Sequence, residues 1–200
     1  MLEIENLIIT RDGTPLHYQL CVTAGEILAI QGRSGVGKST LLSALAGFVT
    51  PCSGDIRWQG RSLLTLSAEQ RPVTMLFQDH NLFEHLSVWD NLQLGFSGPA
   101  PVTALKEAAE ALQVSEFLRK KPPTLSGGQR QRVAIIRTLL RPEPIVLLDE
   151  PFAELDPGTR QLATEWTLDS ARRQQKTVLM VTHQQEDVSR LADRAIELGA

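Results

Sequence analysis

The sequence predicts an α/β fold: a mainly parallel sheet with flanking helices, an N-terminal antiparallel β part and an inserted helical lobe. Three observations carry this expectation. Short apolar runs rich in β-branched residues alternate with helical stretches, a pattern that requires crossover connections and parallel strands. A glycine-rich loop, Gly32 to Thr40, joins one such run to one such helix. The segment 79–140 contains no convincing strand. Residues 1–78 and 141–200 are therefore assigned to the α/β core and 79–140 to the lobe. No repeat or low-complexity linker interrupts the chain, so the whole reads as one unit.

Taken in order, apolar residues over 2–9 and 16–22 flank the turn pair Asp12-Gly13, as in a hairpin. The runs Ile27–Ile30, Val73–Phe77, Ile145–Leu148, Val178–Val181 and Ile196–Leu198 are short enough for buried strands. Lys38–Phe48 is apolar nearly all round and predicts a buried helix. Thr103–Leu118, Thr159–Gln175 and Gln184–Ala192 show amphipathic helical spacing.

Composition bounds the function. The chain has 200 residues and 42% hydrophobic content, enough for one well-packed domain. A net charge of -3 and 5% aromatics give no reason to expect nucleic-acid binding. The opening residues are acidic where a signal peptide needs basic ones. No apolar run approaches the roughly 20 residues of a spanning helix. Cys21 and Cys52 stand apart without partner ligands and read as reduced cytosolic thiols. His80 and His85 likewise lack paired ligands and read as surface or partner-contact residues.

Gly32, Arg33, Ser34, Gly35, Val36, Gly37, Lys38, Ser39 and Thr40 spell Gly-x-x-x-x-Gly-Lys-Ser-Thr between a strand and a helix. Glycines let successive backbone N–H groups turn inward on phosphate oxygens, and the helix start adds its positive end. Lys38 reaches the outer phosphates and Ser39 offers a hydroxyl to Mg²⁺. A chance match in a chain this size is on the order of one in a hundred from average composition. Arg33 either adds charge near the phosphates or is a solvated loop arginine.

The strand Ile145–Leu148 runs into Asp149 and Glu150. Alternation along a strand predicts that these two acids point differently. Asp149 suits the second shell of Mg²⁺ and Glu150 the orientation of an attacking water as general base. His183 and Gln78 each follow a predicted strand. Taken singly, either is an ordinary strand-end residue.

Leu125, Ser126, Gly127, Gly128 and Gln129 follow Pro122-Pro123 and precede Arg130-Gln131-Arg132. Ser126 is a good helix N-cap, but capping needs only the serine. The two glycines behind it leave backbone donors bare for another molecule's phosphate. With this pentapeptide the chain resembles the ATP-binding cassette family along essentially its whole length, with the motifs in the family's order. The resemblance implies a P-loop NTPase core in the form of that family's nucleotide-binding domain, with ATP and Mg²⁺ as ligands. It assigns Glu150 as catalytic base and His183 as γ-phosphate contact. Gln78 goes to the loop that touches Mg²⁺ and the water. It places Leu125–Gln129 of one subunit over the ATP of a second copy, and Asp156 in the loop that crosses to the partner site. Two positions depart from the family pattern. Arg11 stands near the position of the adenine-stacking aromatic, where a guanidinium plane also stacks. Tyr18, the nearest tyrosine, fits a core pattern. Ala153-Glu154 replaces the usual serine and alanine before Leu155-Asp156, with Glu154 either altering dimer closure or simply solvated.

One cassette, a compact lobe and no spanning segment imply a transport ATPase with a separate integral membrane permease. The expected location is peripheral, on the cytoplasmic side of the inner membrane, with a periplasmic or surface substrate-binding protein as indirect partner. The stretch from Arg71 to Leu92, continuing to Leu94-Gly95, and Gly47 to Pro51 resemble the thiamine-importer ATPases. Iron, molybdate and polyamine importers share much of that pattern, and a non-transport ATPase is the remaining alternative. Phe83, Leu86 and Val88 are expected either to line a permease groove or to form lobe core. Because the sequence ends soon after its last predicted strand, no appended C-terminal β-domain is expected.

Overall fold

In the computed structural model, which describes residues 1–79 and 81–199, two sheets share one hydrophobic cluster with helix α1 (Lys38–Ala46). The first sheet is antiparallel. Its strands are β1 (Leu2–Arg11), β2 (Thr14–Val22), β4 (Ser53–Trp58) and β5 (Arg61–Ser62), in the order β2-β1-β4-β5. Asp12 and Gly13, both at positive φ (49° and 78°), make the tight turn between β1 and β2. The second sheet is parallel throughout. Its order is β6 (Val73–Leu76), β7 (Ile145–Asp149), β8 (Thr177–Val181), β3 (Ile27–Gln31) and β9 (Arg194–Glu197).

Side-chain alternation along these strands sorts the core into two clusters. Leu28, Ile30, Leu147, Leu179 and Val181 face α1 and the antiparallel sheet. Ile27, Ala29, Val146, Leu148, Val178 and Met180 face the opposite cluster. That cluster takes in α2 (Val88–Gln93), α3 (Val102–Ala111), α4 (Gly127–Leu139), α5 (Pro157–Arg173) and α6 (Gln185–Leu191). Truncating one of these fully buried leucines to alanine typically costs about 2–5 kcal/mol, a large share of a domain's net stability.

Several expected elements shift. Strands β4 and β5 were not read from the sequence, because Ser53–Trp58 buries only Ile56 and Trp58 well. The helix expected over Thr103–Leu118 stops at Ala111, where Gln113 turns left-handed (φ 54°) and a short 3₁₀ turn follows at Ser115–Phe117. Helix α1 ends two residues before Phe48, at a left-handed Gly47 (φ 89°). The buried Arg71 closes that end: its Nη1 donates to the carbonyls of Ala44 (2.6 Å) and Leu45 (3.0 Å). The last strand is Arg194–Glu197, not Ile196–Leu198. No helix of the described residues is long and apolar enough to cross a membrane.

Candidate functional site

All strands of the second sheet are parallel, so whatever follows β3, β6, β7 and β8 emerges at one edge. The residues there are the glycine loop, Gln78, the Asp149–Glu150 pair and His183. They surround a cleft of about 390 Å³ lined by Arg11, Ser34, Gly35, Gly37, Lys38, Ser39, Gln78, Asp149, Glu150 and His183, with Ala153, Val181 and Gln184.

Two glycines of the loop are required by contact. Gly32 (φ 139°) has no room for a Cβ, which would lie 2.6 Å from the Leu198 carbonyl oxygen. A Cβ on Gly37 (φ 104°) would meet the Tyr18 hydroxyl and, at 2.8 Å, the Leu16 side chain. Tyr18 thus sits in the core beneath the loop and donates to the Gly37 carbonyl at 3.0 Å. Burial pushes its pKa up to about 12, which keeps it a donor. Lys38 Nζ donates to the carbonyls of Gly32 (2.8 Å) and Arg33 (3.0 Å), holding the loop in a ring around the ammonium. Val36 packs beneath Gly32 and Gly199. Gly37 caps α1 with no side-chain acceptor, leaving the first amides of the helix directed toward the cleft.

Both acids line this one cleft, contrary to the divergence that strand alternation predicts. The reason is backbone: Glu150 adopts φ 49°, and its N–H donates to the Val181 carbonyl at 3.0 Å. A non-glycine residue held there stores on the order of 1–3 kcal/mol. Burial raises the Asp149 carboxyl, opposed by the Ser39 hydroxyl and by the charges of Lys38 and His183. Burial also raises Glu150, opposed chiefly by His183. His183 Nε2 lies 3.4 Å from Glu150 Oε1.

Arg11 stands at the rim, its Nη1 donating to Thr40 Oγ1 at 3.3 Å and its Nε 3.7 Å from Asp12. Leu125, Ser126, Gly127, Gly128, Gln129 and Asp156 do not line the cleft. Ser126 caps α4 reciprocally with Gln129: Gln129 N donates to Ser126 Oγ (3.3 Å) and Ser126 N to Gln129 Oε1 (2.8 Å). Asp156 Oδ1 accepts from Thr159 N (3.1 Å) and caps α5. Gln131 donates to the Pro151 carbonyl, anchoring α4 on the loop after Glu150. Although exposed, Glu154 lays its carboxylate against Gly127, where a Cβ would collide with it.

A second depression, of about 560 Å³, is lined by Ala46, Phe48, Phe77, Phe83, Leu94 and Arg137 among others. Phe48 is 61% exposed and Phe83 49%. Burial and the charge of Arg141 push Arg137 down to about 10. Of the three residues expected either to line a groove or to form lobe core, Phe83 lines this depression, Leu86 does not, and Val88 is fully buried lobe core because it starts α2 facing inward. Phe48 and Phe77 were read as the ends of the helix Lys38–Phe48 and the strand Val73–Phe77, whereas both lie just past elements that stop at Ala46 and Leu76. His85 is exposed, its ring edge-on to Phe83 at 6.0 Å, and His80 lies outside the described residues.

A glycine loop between β3 and α1, faced by strand-end acids on a parallel sheet, defines the class: a phosphate-loop nucleotide-binding protein. The chain belongs to the ABC transporter family, whose model matches residues 17–153. It is 44% identical over 198 residues to the thiamine import ATP-binding protein ThiQ of Histophilus somni, covering 96% of this chain and 92% of that one. With the ThiQ protein of Escherichia coli K12 the identity is 42%, over 98% of this chain and 87% of that one. Its backbone matches the dimeric structure of MJ0796, a bacterial ABC transporter cassette, at a TM-score of 0.86 and 28% identity, covering 99% and 94% of the two chains.

Proposed function

We propose that the chain is the ATP-hydrolysing subunit of an importer and that its cargo is thiamine. We further propose that it works as a dimer of two copies on the cytoplasmic face of the inner membrane. The observation that carries the cargo reading is similarity over nearly the full length to proteins named for thiamine import. The cleft supplies the engine. The Ser39 hydroxyl and Asp149 line the same cleft. With the Gln78 amide oxygen these are hard oxygen donors, a set that suits Mg²⁺. Bound there, Mg²⁺ supplies neutralising charge at the phosphates.

Lys38 exchanges the loop carbonyls for phosphate oxygens, and the α1 amides hold the same anion. Glu150 accepts the proton of the attacking water. Its raised pKa makes it a better acceptor than an ordinary carboxylate, provided it remains ionised. His183 follows the strand next to the one that ends before Glu150, lies 3.4 Å from that acid and contacts the terminal phosphate. Ser126, Gly127 and Gly128 of the second copy cover that phosphate, and Asp156 lies in the loop between the two sites. Binding favours the closed dimer and hydrolysis releases it, a population shift driven by differential affinity. The Phe48–Phe83 depression is the seat for a helix of the permease, which carries the closure to the membrane.

Reconstituted in proteoliposomes with its co-purifying permease and the binding protein, the chain should drive ATP-dependent thiamine uptake. Uptake of iron, molybdate or a polyamine without thiamine would discard the cargo and leave the ATPase standing. At the rim, Arg11 offers a guanidinium plane to the base with no adenine-specific hydrogen bond. Equilibrium binding should therefore give similar affinities for ATP and GTP. A large preference for ATP would place adenine recognition elsewhere.

A further inference from the structure

We propose that Asp187 is a positioning residue for His183, acting through Thr182. Asp187 is only 2% exposed, an unusual place for a carboxylate without a dedicated partner. Its Oδ2 accepts from Thr182 Oγ1 at 3.0 Å, and Thr182 Oγ1 in turn accepts from Gln184 N at 3.1 Å. Those two bonds bracket His183 on both sides. The histidine backbone is thus gripped while its side chain stays 52% exposed and 3.4 Å from Glu150.

The other carboxylate oxygen, Oδ1, is buried without a hydrogen bond among the described residues, as is Arg160 Nε. Burial raises the Asp187 carboxyl, and both Thr182 and the Arg160 charge oppose that shift. Arg160 Nη2 meanwhile donates to the Phe152 carbonyl at 2.9 Å, within the loop that runs from Glu150 to Asp156. Asp187 therefore fixes the strand end bearing His183 through the Thr182 hydroxyl. A purely apolar residue would fill the space without holding that hydroxyl.

The inference rests on the proposed role of His183, and the test separates the two. Asp187→Ala should lower kcat about ten- to a hundredfold, the scale of a small misplacement, and leave KM for ATP at the parent value. Asp187→Asn, which keeps an oxygen for Thr182, should restore most of it. In a His183→Ala background Asp187→Ala should add nothing. Histidine-selective NMR reads the geometry without turnover: the imidazole signals of His183 should move in Asp187→Ala and return in Asp187→Asn. If Asp187→Ala does not fold, Thr182→Val removes the same hydroxyl with little change of volume and carries the same expectations. Unmoved signals, or equal losses of kcat with and without His183, overturn the positioning role. Moved signals alongside parent-like hydrolysis by His183→Ala would instead reject the catalytic role of His183.

Discussion

Glu150→Gln retains ATP binding and loses roughly a hundredfold or more of turnover, the contribution of a positioned general base. The substitution is nearly isosteric, so the φ 49° turn and the Val181 bond that aim the side chain survive it. What disappears is the proton acceptor. Steady-state hydrolysis and equilibrium nucleotide binding on the same preparation separate these effects. Near-parent turnover would remove Glu150 from the base role. The pH profile adds a signed expectation. Burial raises Glu150, and in the proposed role as general base it must be ionised. Rate should therefore fall as pH drops through a midpoint above the ordinary carboxylate range. In Glu150→Gln the residual rate should lack that acid limb.

A dimer mixed from Lys38→Ala and Ser126→Arg copies regains half of the parent's ATP sites, although either variant alone has none intact. In the proposed sandwich each composite site draws Lys38 from one copy and Ser126 from the other. In either homodimer both sites carry a lesion. Mixing puts both lesions in one site and frees its twin. The arginine also removes the Ser126 cap, worth about 1 kcal/mol, so thermal unfolding of that variant should be followed alongside. Bound nucleotide per two-tag-purified dimer is the measurement. A mixed dimer that forms and binds no ATP counts against the sandwich.

Most of the α/β architecture was legible because buried parallel strands leave unbroken apolar runs. The cleft was legible because its chemistry is written in contiguous residues at strand ends. Other features were hidden for physical reasons. Strand β4 exposes half of its length and buries only Ile56 and Trp58 well, too thin a pattern to stand out. The convergence of Asp149 and Glu150 depends on a left-handed backbone at a glutamate, which no propensity foretells. Tyr18 was legible as core but not as the floor of the loop, since its partner Gly37 lies 19 positions away. Val88 stayed open between groove lining and lobe core because a run of apolar residues does not say which of them the helix turns inward.

Helix α1 has a practical meaning beyond the cradle it begins. At 1.5 Å per residue, its nine residues make a rod of about 13 Å. Lys38 stands at one tip, in the cleft, while Ala46 and then Phe48 stand at the other, in the exposed aromatic depression. Arg71 braces that far tip against the segment leading into β6, the strand that Gln78 follows. A push on the Ala46 tip thus reaches the phosphate loop through one short, stiff strut, with the Gly47 turn as the single joint between that strut and Phe48.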